Sequence, residues 1–79
     1  MKYVYIIQSE FFKDRFYVGQ TDDLKQRIAA HNSGKVSHTS KYLPWTIKTY
    51  LAFSDEKQAI DFEKYLKSAS GRAFAKKRL

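Results

Sequence analysis

The chain has no cysteine, a single proline, three glycines, and eight acidic residues against fifteen lysines and arginines. Without cysteine there is no disulfide and no thiolate-held metal, which suits a reducing compartment. No stretch approaches the roughly 18 apolar residues of a membrane span, and the first residues lack a signal-peptide hydrophobic region. A soluble, cytoplasmic protein is therefore expected, with no membrane partner. No internal repeat or low-complexity segment is present. The shortage of acid leaves a formal charge of +7 and a pI near 9.7. Such a balance attracts polyanions, and nucleic acid is the commonest of these in the cytosol. Ordinary solubilising lysine stays open as the alternative. The densest patch, Arg72, Lys76, Lys77 and Arg78, suits the negative pole of a helix C-terminus equally well.

What is present is apolar and aromatic. Seventy-nine residues with six Phe, six Tyr and one Trp make one domain, 1–79. A chain of this length buries about 60–65% of its unfolded surface. Lys2 to Gln8 is apolar on both alternating faces, with Tyr3, Tyr5 and Ile7 one way and Val4 and Ile6 the other. That pattern predicts a central strand covered on both sides. Phe16 to Thr21 reads as its antiparallel hairpin partner, with Gly19 marking a bend or a close backbone approach.

A helix beginning at about Asp22, capped by Thr21 or Asp22, puts Leu24, Ile28 and His31 on one face and Arg27 on its shoulder. Asn32-Ser33-Gly34 ends it. Residues 34–45 then form a basic polar loop that Pro44 keeps from being helical. Thr46 to Phe53 alternates as a third strand, placing Ile47, Thr49, Leu51 and Phe53 together. Ser54 caps a second helix whose apolar stripe is Ala59, Ile60, Phe62, Leu66 and Ala69. Gly71 is expected to break that helix, leaving Arg72 to Leu79 as a short basic helix or tail. The fold class is α+β.

The usable chemistry concentrates where the second strand meets the first helix. Arg27 beside a glycine suits a bidentate clamp on phosphate, and equally an i,i+4 pair with Asp23. His31 is a proton carrier near neutral pH or a satisfied core histidine. Glu63 sits within an apolar stripe, where a carboxylate must be paired, protonated or bound to a metal. The bland reading is an ion pair with Arg27 or a lysine. With no thiolate, the suited metal is a hard cation such as Mg²⁺, completed by water and substrate phosphate. Between Gly34 and Trp45, the cations Lys35 and Lys41 alternate with Tyr42 and Trp45, suited to following a phosphate backbone and stacking a base. A packed loop is the alternative.

Taken together, Tyr3-Val4-Tyr5, Tyr17-Val18-Gly19, Arg27, His31 and Glu63 resemble the GIY-YIG nuclease domain over nearly the whole chain. The stretch His31 to Lys35, His-Asn-Ser-Gly-Lys, is similar to the small stand-alone bacterial members. Tyr3 stands where the family name has Gly, and Val4 and Val18 replace each Ile. The resemblance implies a three-stranded antiparallel sheet flanked by helices, and metal-dependent endonucleolytic hydrolysis of a DNA phosphodiester. It implies that Glu63 holds one Mg²⁺ or Mn²⁺ and that Tyr5 is the general base, assisted by Tyr17. Arg27 would stabilise the transition state and His31 would relay or tune a tyrosine's proton. A free tyrosine, with a pKa near 10, is a poor base at neutral pH, so the metal and Arg27 are expected to lower it. Lys35, Lys41, Tyr42, Trp45 and Arg72 would contact DNA, with branched, flapped or single-stranded forms as implied substrates. A nucleic-acid-binding module without useful turnover, and an interaction protein docking an acidic partner, are the competing readings.

Overall fold

The structure, a computed structural model, describes residues 1–79. Its elements in chain order are β1 (Lys2–Ser9), β2 (Phe16–Thr21), α1 (Leu24–Asn32), β3 (Trp45–Phe53), α2 (Glu56–Lys67) and α3 (Ala69–Arg78), with one 3-10 turn at Ser40–Tyr42. The sheet order is β2-β1-β3, antiparallel throughout. β1 is thus the central strand that its doubly apolar pattern predicts.

Alternation along β1 splits the core in two. Val4 and Ile6 pack on Ala59 and Leu66 of α2, with Val18, Phe53, Phe62, Ala75 and Leu79 around them. Tyr5 and Ile7 pack on Trp45, with Leu24 and Ile28 of α1 closing that side. Two hydrogen bonds from the Asn32 side chain staple α1 to β3: its Nδ2 donates to the Trp45 carbonyl (2.9 Å) and its Oδ1 accepts from the Trp45 amide (2.6 Å).

Several local expectations are corrected. In β3, Ile6 pairs with Thr49 but Ile7 pairs with Ile47. The extra residue, Lys48, is a β-bulge, and it moves Ile47 and Trp45 to the opposite face from Thr49, Leu51 and Phe53. Simple alternation places Ile47 with Leu51. Both helix caps lie later than expected: Asp23 accepts from the Gln26 amide (3.0 Å), and Asp55 accepts from the Lys57 amide (2.8 Å). The break after α2 is at Ser68, whose hydroxyl caps α3 through the Gly71 amide (3.1 Å). Gly71 lies inside α3, where a Cβ would come within 2.7 Å of the Leu66 Cα. It is there for close approach and not to break the helix. No helix is long and apolar enough to cross a membrane.

Candidate active site

Gly19 explains how the site forms. It lies opposite Tyr5 in the β1–β2 ladder, and a Cβ on it would sit 2.6 Å from the Tyr5 Cζ. The absent side chain lets the phenol lie across edge strand β2 toward α1. Asp23, by capping α1, sets the phase that brings Arg27 and His31 to that phenol.

The contacts form one connected series. Tyr5 Oη lies 2.8 Å from His31 Nε2, and Arg27 Nε donates to Tyr5 Oη at 3.4 Å. His31 Nδ1 lies 2.9 Å from Thr39 Oγ1. Tyr17 completes the cluster, its ring centroid 5.1 Å from that of His31 in an edge-on arrangement. Tyr5 and His31 are both 0% exposed, whereas Tyr17 and Arg27 are half-buried. No buried polar side-chain atom lacks a partner.

Burial pushes the Tyr5 phenol above the ordinary tyrosine range, and it outweighs the Arg27 hydrogen bond and charge, which pull the other way. Arg27 acts in the expected direction, but alone it does not offset burial: desolvation of a phenolate costs more than one partly exposed guanidinium returns, and the expected lowering of Tyr5 relied on a metal at Glu63 as well. The His31 imidazole is held below its ordinary value, first by burial and then by Arg27, so it is neutral at pH 7. Arg27 is pushed further up, chiefly by its bond to Tyr5. Arg27 takes no part in the three ion pairs of the molecule. Asp23 spends its carboxylate on the helix cap instead.

Glu63 reaches this cluster from the other face. Gln20 Nε2 donates to its Oε1 at 3.1 Å, and Lys67 Nζ lies 3.2 Å from its Oε2. The carboxylate is 16% exposed and close enough that its charge adds to the upward push on Tyr5. Lys67 in turn approaches the Tyr17 ring, with 6.0 Å to the centroid. Five residues singled out in the sequence, Tyr5, Tyr17, Arg27, His31 and Glu63, thus meet around β2. Nowhere do three His, Asp or Glu side chains converge into a metal cage.

The residues singled out for DNA contact do not converge. Trp45 is 3% exposed and donates its indole N–H to the Thr39 carbonyl (2.8 Å), so it has no free face for a base. Tyr42 is half-buried among Phe12, Trp45 and the Arg15 guanidinium. Lys35 and Lys41 are exposed on the loop beside α1, while Arg72 is exposed on α3, which packs with α2 across the sheet. Three further participants are not singled out in the sequence. Thr39, Gln20 and Lys67 carry no motif signal. Lys67 alone has a readable cue, its i,i+4 spacing from Glu63.

Comparison with known proteins places the chain. The family model described as the GIY-YIG catalytic domain matches residues 1–78. A UPF0213 protein of Lacticaseibacillus paracasei is 42% identical over 53 residues, covering 66% of this chain and 60% of the relative. A UPF0213 protein of Streptococcus pyogenes serotype M3 is 33% identical over 72 residues, covering 90% of this chain and 76% of the relative. The solution NMR structure of UPF0213 protein BH0048 from Bacillus halodurans superposes with a TM-score of 0.57 at 31% identity, covering 96% of this chain and 81% of that one.

Proposed function

This chain belongs to the GIY-YIG family, a nuclease superfamily, and from that premise we propose that it hydrolyses DNA phosphodiester bonds with a divalent ion held at Glu63. The observation that carries the reading is the Tyr5 hydroxyl, bonded to both His31 and Arg27, with a carboxylate from the opposite face beside it. A structural tyrosine needs one partner. Here a neutral base, a permanent cation and an acid surround it.

Glu63 fits a hard cation. Mg²⁺ is commonly held by one or two carboxylates, with water and substrate phosphate filling the remaining positions. The carboxylate already holds one cation, the Lys67 ammonium, which is half exposed and would withdraw to admit the ion, while Gln20 steadies the other oxygen. When bound, the ion offsets negative charge on the phosphate.

The chain's own groups do the rest. Arg27 has no carboxylate to neutralise it, so its guanidinium is available to a phosphate oxygen in the transition state, where charge stabilisation is the largest catalytic contribution. Tyr5, protonated at neutral pH, serves as a relay: its own proton leaves for His31 as it receives one from the attacking water. The water oxygen forms the new bond to phosphorus, and the bond to the leaving oxygen breaks with its electron pair on that oxygen. One observation favours a second assignment. Tyr17 is half-buried while Tyr5 is fully buried, so Tyr17 is the phenol nearer to solvent and would receive the water's proton, with Tyr5 and His31 behind it.

The test is incubation of pure protein with labelled duplex, single-stranded, flapped and branched DNA, with and without Mg²⁺ or Mn²⁺, beside Glu63→Ala. Metal-dependent cleavage absent from the variant is expected. Binding without cleavage on every substrate would replace the nuclease with a binding module. Comparison of Tyr5→Phe with Tyr17→Phe decides between the two proton routes.

A further inference from the structure

A buried series of hydrogen bonds has a direction, and here that direction can be worked out from its two ends. The series runs Arg27 Nε, Tyr5 Oη, His31 ring, Thr39 Oγ1, Val36 carbonyl, with separations of 3.4, 2.8, 2.9 and 3.3 Å. Arg27 can only donate and a carbonyl can only accept. Thr39 has one hydroxyl proton, and the Val36 carbonyl takes it. Its lone pair is then left for His31 Nδ1, which must carry a hydrogen. A neutral imidazole has one N–H, so Nε2 is bare and accepts the Tyr5 proton. Arg27 donates into a remaining lone pair of Tyr5. Reversing His31 would leave the buried Tyr5 proton facing two donors and no acceptor, an arrangement that costs the full desolvation of that group. Proton positions assigned this way satisfy every member of the network.

We infer that Thr39 is a positioning residue that selects the Nδ1–H tautomer of His31 and thereby presents a bare Nε2 to Tyr5. Thr39 is itself fixed. It is 1% exposed, its amide donates to the Val36 carbonyl at 3.1 Å, and its own carbonyl accepts the Trp45 indole N–H at 2.8 Å. Trp45 is the clamp on this loop, which accounts for its burial at the start of β3. The basic loop after α1 therefore has an inward function: it delivers one hydroxyl to the back of the imidazole.

The consequence for turnover rests on the nuclease reading, whereas the tautomer does not. In that reaction the Tyr5 O–H bond breaks toward Nε2 as the phenol oxygen takes the water's proton. Tyr5 ends as a neutral phenol, and His31 ends as an imidazolium with one N–H toward Tyr5 and one toward Thr39. The Thr39 hydroxyl accepts from Nδ1 before and after the transfer, so nothing behind the ring has to reorganise. With the other tautomer, Nε2 already carries a hydrogen and the relay stops.

The experiment is long-range ¹H–¹⁵N NMR of the ¹⁵N-labelled full chain at neutral pH, with exposed His38, the other histidine, as internal reference. Wild-type His31 is expected to show the Nδ1–H pattern. Thr39→Val, of matched shape but unable to accept, is expected to lose that single pattern, and Thr39→Ser to keep it. A wild-type Nε2–H pattern would overturn the inference. So would a folded Thr39→Val chain with an unchanged Nδ1–H pattern, its backbone amide spectrum confirming the fold. If Thr39→Val does not fold, Thr39→Ala, which also cannot accept, is read in its place, and an unchanged Nδ1–H pattern there would overturn the inference. In cleavage, Thr39→Val is expected to lower kcat at least tenfold with KM unchanged, and Thr39→Ser to restore most of it. An inactive wild type would refute the nuclease reading and leave the tautomer assignment standing.

Discussion

The two faces of the sheet are built from alternate residues of one strand, yet they do different things. Toward α2 and α3, Val4 and Ile6 meet Ala59 and Leu66 in a core that is apolar throughout. Toward α1, Tyr5 and Ile7 lie in a core that also contains His31, Thr39 and Ser9 at or near zero exposure. Apolar burial stabilises by roughly 25 cal/mol per Å², without direction. A buried polar series gives a small net stabilisation, but it fixes which atom faces which. The first face holds the chain together and the second orients a proton. Two residues of α2 reach toward the second face past edge strand β2: Glu63, whose charge is felt by Tyr5, and Lys67, whose ammonium approaches the Tyr17 ring.

The comparison breaks most visibly at Leu66→Ala, which empties 2% exposed space in the apolar face. We expect a loss of about 3 kcal/mol, a large part of the stability of a domain this small. Urea unfolding checks it. Cleavage per folded molecule should be unchanged, because Leu66 packs in the apolar cluster of Val4, Ile6 and Ala59, away from Tyr5, Arg27 and His31. Tyr5→Phe is the converse. It keeps the ring and removes the hydroxyl, so it should lower kcat about 100-fold, the scale of lost general acid–base catalysis. Its stability cost should be about 1–2 kcal/mol, from the unpaired His31 Nε2. Equal losses of stability and activity in both variants would erase the distinction between the faces.

Gly19→Ala lies between these. The added methyl must displace the Tyr5 ring, since the Cβ falls 2.6 Å from Cζ. We expect about 1–3 kcal/mol of destabilisation, as for an overpacked site, together with loss of cleavage. On a Tyr5→Ala background, already destabilised by the lost ring, the added methyl should cost little further stability, and no activity should return.

The pH dependence sharpens the same contrast. Burial, then Arg27, holds the folded His31 below its unfolded value, which is about 6.5. Its contribution to stability is complete above the unfolded value and is lost as pH falls through about 6.5 toward the folded pKa, because the unfolded chain binds the proton first. Thermal melts of wild type should therefore decline below about pH 6.5 more steeply than those of His31→Gln. Cleavage should fall on the same acid side, once His31 is protonated and cannot accept from Tyr5.

How much of this is legible in the sequence follows the same division. Periodicity exposes the central strand, the helix phases and the three-stranded sheet, because burial repeats with the geometry of the element. The five candidate site residues are legible as a set through the resemblance that their order and the two tyrosine-containing tripeptides bear to the GIY-YIG domain. Local geometry is not. The bulge at Lys48 leaves no compositional trace, and it moves Ile47 and Trp45 from the face of Leu51 and Phe53 to the face of Tyr5 and Ile7. Thr39 is invisible because a hydroxyl in a polar loop looks the same whether it meets water or an imidazole. Tyr5 reads as acidified, since charge can be counted in a sequence but desolvation cannot. Gly71 reads as a helix end, although its role is contact between α2 and α3.

The smallest expected effect concerns Lys67, which reaches from α2 toward the Tyr17 ring on the second face. Lys67 places an ammonium 3.2 Å from Glu63 Oε2, where a divalent cation would compete for the same carboxylate. Lys67→Met keeps an unbranched side chain and removes that competitor. Because Lys67 is half exposed, folding stability should change by no more than about 0.5 kcal/mol. The Mn²⁺ concentration for half-saturation, followed by the loss of the free-ion EPR signal, should fall about threefold, a change of about 0.6 kcal/mol in binding. An unchanged value would show that the ion pair is incidental to metal binding. A raised value would assign Lys67 to supporting the site, acting through the Tyr17 ring it approaches, and the carboxylate would then be held for the metal by Gln20 alone.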